Sequence, residues 1–149
     1  MRKVQLGKIY YEFELENVEI ENLVFPVIII DNSFEYRNLS KKSNKIDVNN
    51  RLVQLLKTKE SISKIDEILY EMIEKDKMNI LTNFGMLFDP DLNIDLVRLF
   101  VNLSRKEKII VMWPGYIEGL DLIYAVPTSE DYRVYNLDKY AISCIKKGE

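Results

Sequence analysis

Val27-Ile28-Ile29-Ile30 is the stretch that most narrows what this chain can become. Four β-branched residues stand in a row with no polar alternation, so neither face of their strand can be left to water. Strands covered on both sides usually belong to parallel sheets, whose neighbours are reached through crossover helices. Asp31-Asn32-Ser33, all turn formers, end this one. Three further runs share its character: Asn79-Ile80-Leu81-Thr82-Asn83, Lys108-Ile109-Ile110-Val111-Met112-Trp113 and Leu122-Ile123-Tyr124-Ala125-Val126. Pro114-Gly115 stops the second and Pro127 the third.

Helical periodicity fills the gaps between the runs. Asp47 is placed to cap a helix with Leu52, Leu55 and Leu56 inward. Ser61 or Ser63 can cap a second, with Ile65, Ile68, Leu69, Met72 and Ile73 at spacings of three and four and Glu67 and Glu71 outward. Asp89-Pro90 looks like a third start. That helix runs from about Pro90 or Asn93 to Arg105 and carries a wide apolar face through Ile94, Val97, Leu99, Phe100, Val101 and Leu103. The order strand, helices, strand, helix, strand, strand predicts one three-layer α/β domain, a mostly parallel sheet with helices on both faces.

Three segments stand apart from that plan. Residues 4–22 alternate, with Tyr11, Phe13 and Leu15 against Glu12, Glu14 and Glu16, then Val18 and Ile20 against Glu19 and Glu21. This predicts an N-terminal β-hairpin within residues 1–22, turning near Glu16-Asn17 and added to a core of 23–149. The glutamate row reads as a solvated face that discourages edge pairing, a cation or a basic partner being its other use. Residues 35–45, with Arg37, Lys41, Lys42 and Lys45, read as loop, and Leu137 to Lys146 fits a short strand or a helix equally.

Composition removes whole classes of chemistry. Among 149 residues there is no histidine, which excludes His-based triads, His-ligated zinc and imidazole proton shuttles. The one cysteine, Cys144, leaves no intrachain disulfide and no thiol pair for a metal, as expected of a reducing cytoplasm. Lys and Arg number 21 against 24 acids, so no basic excess exists to neutralise a run of phosphates and autonomous nucleic-acid binding is not expected. The start, Met1 to Lys8, has no apolar signal core, and Leu23 to Ile30 is too short to span a bilayer and is broken by Pro26. A cytoplasmic protein without membrane contact is the expectation.

Ligands of parallel sheets gather at the carboxyl ends of the strands, here Asp31–Ser33, Thr82–Gly85 and Pro114–Gly115. A Walker A loop after the first strand would need glycines whose amides wrap phosphate. Residues 31–42 hold none, and Phe34 and Tyr36 obstruct the approach. Asp31, Asn32, Ser33, Lys41 and Lys42 are what a vestigial nucleotide site could still use. Asp89-Pro90-Asp91-Leu92-Asn93-Ile94-Asp95 starts like a calcium loop, yet the sixth position is Ile94 and the twelfth Phe100, so a cap cluster is the better reading and no metal is expected.

A longer pattern runs from Ile80-Leu81-Thr82-Asn83-Phe84-Gly85-Met86-Leu87-Phe88-Asp89-Pro90 through Leu103-Ser104-Arg105 and Trp113-Pro114-Gly115 to Tyr124-Ala125 and Asp131-Tyr132-Arg133-Val134-Tyr135. In block order, over roughly residues 78–136, it resembles the small P-loop protein family (BrxF) of BREX bacteriophage-exclusion islands. That resemblance implies a P-loop-like core in a bacterial antiviral system, partnered by other defence proteins that include large ATPase and methyltransferase subunits. It also implies a glycine-rich Walker A loop and acids near Thr82 and Gly85, and this chain has neither. The reading is therefore a pseudo-ATPase: a degenerate, non-catalytic accessory subunit acting through protein–protein contacts, with weak ATP or ADP binding at most.

Two alternatives stand beside it. One is a nucleotide-binding ATPase with an unconventional phosphate loop using Lys41 or Lys42 and Asp31. The other is a self-assembling structural or phage-encoded interaction protein. Arg105, Trp113, Tyr132, Arg133 and Tyr135 are the candidate contact residues. Arg105 could act as an arginine finger or sit at a helix C-terminus for its dipole. Trp113 could anchor a partner or pack in the core.

Overall fold

The computed structural model describes residues 7–11, 22–30, 43–56 and 65–146. In chain order its strands are β1 (Gly7–Tyr11), β2 (Val27–Ile29), β3 (Ser43–Asp47), β4 (Met78–Thr82), β5 (Ile109–Met112), β6 (Tyr116–Glu118), β7 (Asp121–Tyr124), β8 (Arg133–Asn136) and β9 (Ile142–Lys146). Its helices are α1 (Val48–Leu56), α2 (Ile65–Met72) and α3 (Leu96–Ser104). Six strands form one sheet in the order β1-β9-β2-β5-β4-β3, parallel throughout. β6, β7 and β8 form a separate antiparallel sheet.

The β-branched run occupies the interior of the large sheet. Val27 is registered with Ile110 on one side and Ser143 on the other, and Ile28 with Val111 and Cys144. Ile28 joins the larger apolar cluster, with Leu81, Val111, Leu52, Leu69 and Phe100. Val27 and Ile29 join the cluster on the opposite face, with Met78, Ile80, Ile110 and Ile145.

The sequence predicts helices on both faces; among the described residues all three lie on one. The inward residues of α1, α2 and α3 belong to the larger cluster, and none belongs to the smaller. Handedness explains this. The steps β3 to β4, β4 to β5 and β5 to β9 all run the same way across the sheet, so right-handed crossovers place their connections on the same side. The steps from β1 to β2 and from β2 to β3 run the other way, through residues 12–21 and 31–42, which lie outside the described residues.

Other expectations change as well. The run Leu122–Val126 is not a strand of the large sheet: Gly119, at a φ of 61°, helps the chain reverse, and β7 pairs antiparallel with β6 and β8. The interior place goes to β9, where four consecutive residues, Ile142 to Ile145, are buried. Residues 43–45, read as loop, belong to edge strand β3, in which Ile46 alone is buried. The first arm of the expected hairpin, β1, is a parallel neighbour of β9, while the turn and second arm lie outside the described residues. Asp89-Pro90 caps a short 3-10 turn, Pro90–Leu92, which ends at Asn93 in left-handed conformation; α3 starts later, with Asp95 accepting from the Arg98 amide at 3.0 Å. Among the described residues no helix is long and apolar enough to cross a membrane.

Asn79 fastens the amino end of this sheet. Its side chain is fully buried. It donates to the carbonyls of Glu74 and Lys77 at 3.0 and 3.1 Å, and accepts from the Glu74 amide at 2.7 Å and from Asn44 Nδ2 at 3.0 Å. The amide thus closes the α2–β4 turn and ties edge strand β3 to β4. Removing it strands several buried polar groups, each costing about 1–3 kcal/mol. Asn79→Ala should lower the urea-unfolding free energy by about 2–3 kcal/mol, more than an exposed change such as Lys77→Ala.

Cys144 lies in β9 with no exposure, and burial pushes its thiol up to about 12 from an ordinary 9.0. It should resist aromatic disulfide reagents at pH 8 until the protein unfolds. The unfolded chain ionises this thiol first, so the stabilisation is intact below about pH 9 and lost as pH rises towards about 12. Cys144→Val should flatten that alkaline decline in urea titrations at stepped pH.

Candidate functional site

The carboxyl ends of β3 and β4 meet in a closed polar network. Asp47 Oδ1 accepts from the Asn50 amide at 3.1 Å, capping α1, and from Asn83 Nδ2 at 2.9 Å. Asn49 donates from Nδ2 to Asn83 Oδ1 at 3.1 Å and from its backbone N–H to the Asn83 carbonyl at 2.7 Å. Asn49 Oδ1 accepts from the Met86 amide at 3.1 Å. Asn83 takes a φ of 49°, which asparagine tolerates better than most residues. Thr82 Oγ1 donates to the Ile46 carbonyl at 3.1 Å. At Gly85 a Cβ would lie 3.5 Å from Tyr124 Oη and 3.9 Å from Asn49 Nδ2. Thr82 and Gly85 are the positions where the resemblance calls for acids, and here one is bonded to backbone and the other faces a phenol.

Beside the network stands an aromatic wall. Trp113 is fully buried, 5.5 Å edge-on from Phe88 and 5.9 Å edge-on from Tyr135. Phe88 stacks on Tyr124 at 3.7 Å with the rings 5° apart. Trp113 Nε1 donates to the Ile123 carbonyl at 2.9 Å, and a Cβ on Gly115 would fall 1.9 Å from that same oxygen. The Trp-Pro-Gly block is thus a joint: the indole pins β7 at Ile123, and only glycine lets the chain pass the pinned carbonyl. Arg133 donates from Nη2 to the Phe88 carbonyl at 3.3 Å and from Nη1 to the Tyr132 carbonyl at 2.8 Å. Burial raises the Tyr135 phenol above its usual range, partly countered by the bond from the Leu96 amide. Burial and the nearby Asp131 raise that of Tyr124.

Among the candidate contact residues, Trp113 and Arg133 both meet Phe88, and Tyr135 meets Trp113. Trp113 and Tyr135 lie in the core, and Tyr132 and Arg133 are partly buried. Arg105 is exposed at the C-terminus of α3, which leads into the amino end of β5, so it lies at the far end of the sheet from the network. Asp31, Asn32, Ser33, Lys41 and Lys42 lie outside the described residues.

Sequence reasoning missed a cleft of about 620 Å³ next to the network. The turns after β4 form one side and the β7–β8 loop the other. Leu52, Met86, Leu87 and Leu92 supply apolar walls and Asp89, Glu130 and Asp131 supply carboxylates; among the described residues no Lys or Arg lines it. The Asp91 amide donates to Asp89 Oδ1 at 2.9 Å, and the Ser129 hydroxyl donates to Asp131 Oδ1. No protein-family model, curated protein or solved structure matches the chain.

The joint makes a stability prediction. Trp113→Phe keeps most of the ring packing but removes the indole donor from the Ile123 carbonyl, at a cost of about 0.5–1.5 kcal/mol. Gly115→Ala drives a methyl into the same carbonyl and should cost more. Equilibrium urea unfolding, followed by tryptophan fluorescence for Gly115→Ala and by circular dichroism for Trp113→Phe, checks the ranking.

Proposed function

We propose that this chain is a non-catalytic accessory subunit of a BREX-like phage-defence system, built on a degenerate P-loop-like sheet and acting through protein contacts. The observation that carries the proposal is the use made of the two acid positions. Magnesium on a nucleotide is held by hard oxygen ligands, usually one or two carboxylates. Thr82 instead donates its hydroxyl to the Ile46 carbonyl, and Gly85 offers no side chain. The neighbouring carboxylate, Asp47, accepts from both Asn50 and Asn83. The adjacent cleft carries acids with no cation among its described residues, which repels phosphate.

The strand order fits the same reading. β2 is a parallel neighbour of β5, and β5 of β4, so the carboxyl ends of β2 and β4 lie at the same end of the sheet with one strand between them. Expected partners are other bacterial defence proteins in the cytoplasm, with assembly into a homo-oligomer compatible with the role. The test is magnesium-dependent ATP hydrolysis by the purified full chain. No turnover above buffer is expected, with ATP or ADP binding weak at most. Hydrolysis that Lys42→Ala abolishes would overturn the proposal in favour of a working ATPase with an unconventional loop.

A further inference from the structure

We infer that the cleft between the turns after β4 and the β7–β8 loop is the docking groove for an arginine-bearing apolar segment of a partner protein. The inference rests on the contact-making role proposed above and names the chemistry of the contact. Charge complementarity is its first support: Asp89, Glu130 and Asp131 line the cleft, and among the described residues no cation lines it with them. These carboxylates do not act as a metal cage, since among the described residues no group of three acids could hold one ion. Charge spread over a cleft suits an extended cation such as guanidinium better than a point charge.

The walls supply the second support. Met86 and Leu92, both partly buried, offer apolar surface for methylene stems and for a neighbouring aliphatic side chain, which a small free polyamine or metal would leave uncovered; Leu52 and Leu87 also line the cleft but are already buried. The volume, about 620 Å³, falls within the ordinary range of about 300–1,000 Å³ for ligand pockets and has room for an arginine and one neighbour. The acids are also held in place. Ser129 donates from its amide to the Val126 carbonyl at 2.9 Å and from its hydroxyl to Asp131, and the Tyr132 amide donates to the Ser129 carbonyl at 3.2 Å. Asp89 is fixed by the Asp91 amide. An incoming cation therefore finds its acceptors in position and orders little on binding.

The probe is the synthetic amide Leu-Arg-Leu-Leu-Arg-Leu, titrated into the full-length protein and followed by NMR chemical shifts. Saturable shifts are expected at Met86, Leu92, Glu130 and Asp131. Replacing both arginines with citrulline, which keeps the shape and removes the charge, should weaken binding about tenfold or more, as should Glu130→Lys. Glu118→Lys, an exposed acid outside the cleft, should leave binding unchanged, and thermal unfolding midpoints of both variants should match the parent. Four results would overturn the inference: no saturable shift at millimolar peptide, equal binding of the citrulline peptide, equal loss in the two lysine variants, or spermine binding as tightly as the peptide. ATP turnover measured on the same preparation would sink the non-catalytic reading and leave the outcome of the peptide titration unaltered.

Discussion

The ladder on both sides of β2 organises the molecule. Three residues, Val27 to Ile29, bond in parallel to β5 and to β9, and hydrogen bonds from Ile30 N to the Ile145 carbonyl and from Trp113 N to the Ile29 carbonyl carry the ladder past the strand. Parallel neighbours require crossovers, and crossovers have a hand. The direction of stepping puts α1, α2 and α3 on one face and delivers every strand of the large sheet to the same end. The two ends then differ in chemistry. The amino end is closed by Asn79 and the α2–β4 turn, while the carboxyl end collects the Asp47–Asn83–Asn49 network, the aromatic wall and the cleft.

The small antiparallel sheet extends this core instead of standing apart from it. On its inner face Leu122 and Tyr135 enter the larger cluster and Tyr124 stacks on Phe88. On its outer face Tyr116 and Val134 flank Ile123 in register, which leaves Ile123 5% exposed while its two neighbours remain open. The Trp113 bond to the Ile123 carbonyl adds a hydrogen-bonded tie to that packing. It explains why tryptophan, proline and glycine stand together: a strand must end, turn and pass within contact of its own indole's acceptor.

How much of this is legible in the sequence follows from what each residue meets. Val27–Ile29 and Ile109–Met112 are covered on both sides of a sheet, so their letters announce a strand whatever their partners. Ile65, Ile68, Leu69 and Met72 announce α2, and Asp47 its cap on α1, because both signals are local. β3 hides because an edge strand needs only Ile46 inside, and its polar letters look like loop. Leu122–Tyr124 misleads for the opposite reason: a strand shielded by Tyr116 and Val134 outside and by aromatics inside has the letters of a parallel strand, and only its partners distinguish it. β9 fits strand or helix alike because Ser143 and Cys144 sit between isoleucines without choosing a period. The cleft has no signal at all. Asp89 and Pro90 already make sense as a helix start, and Glu130 and Asp131 lie some forty residues further along the chain.

The network and the cleft together define what the carboxyl end can recognise. Binding phosphate there takes N–H donors, and the network turns several of its own inward. Asn83 gives its amide to Asp47, Asn49 gives its own to Asn83, and the Met86 amide goes to Asn49. The charged groups facing the cleft are acceptors: the carboxylates of Asp89, Glu130 and Asp131. A cleft whose charged groups, among the described residues, are all carboxylates is complementary to a group with several donors and no acceptor. Guanidinium, with five N–H groups in a fixed plane, is that group among protein side chains. On the reading proposed above, an end of the sheet that lacks two acids to hold magnesium and has an acidic cleft beside it favours a cationic side chain over phosphate.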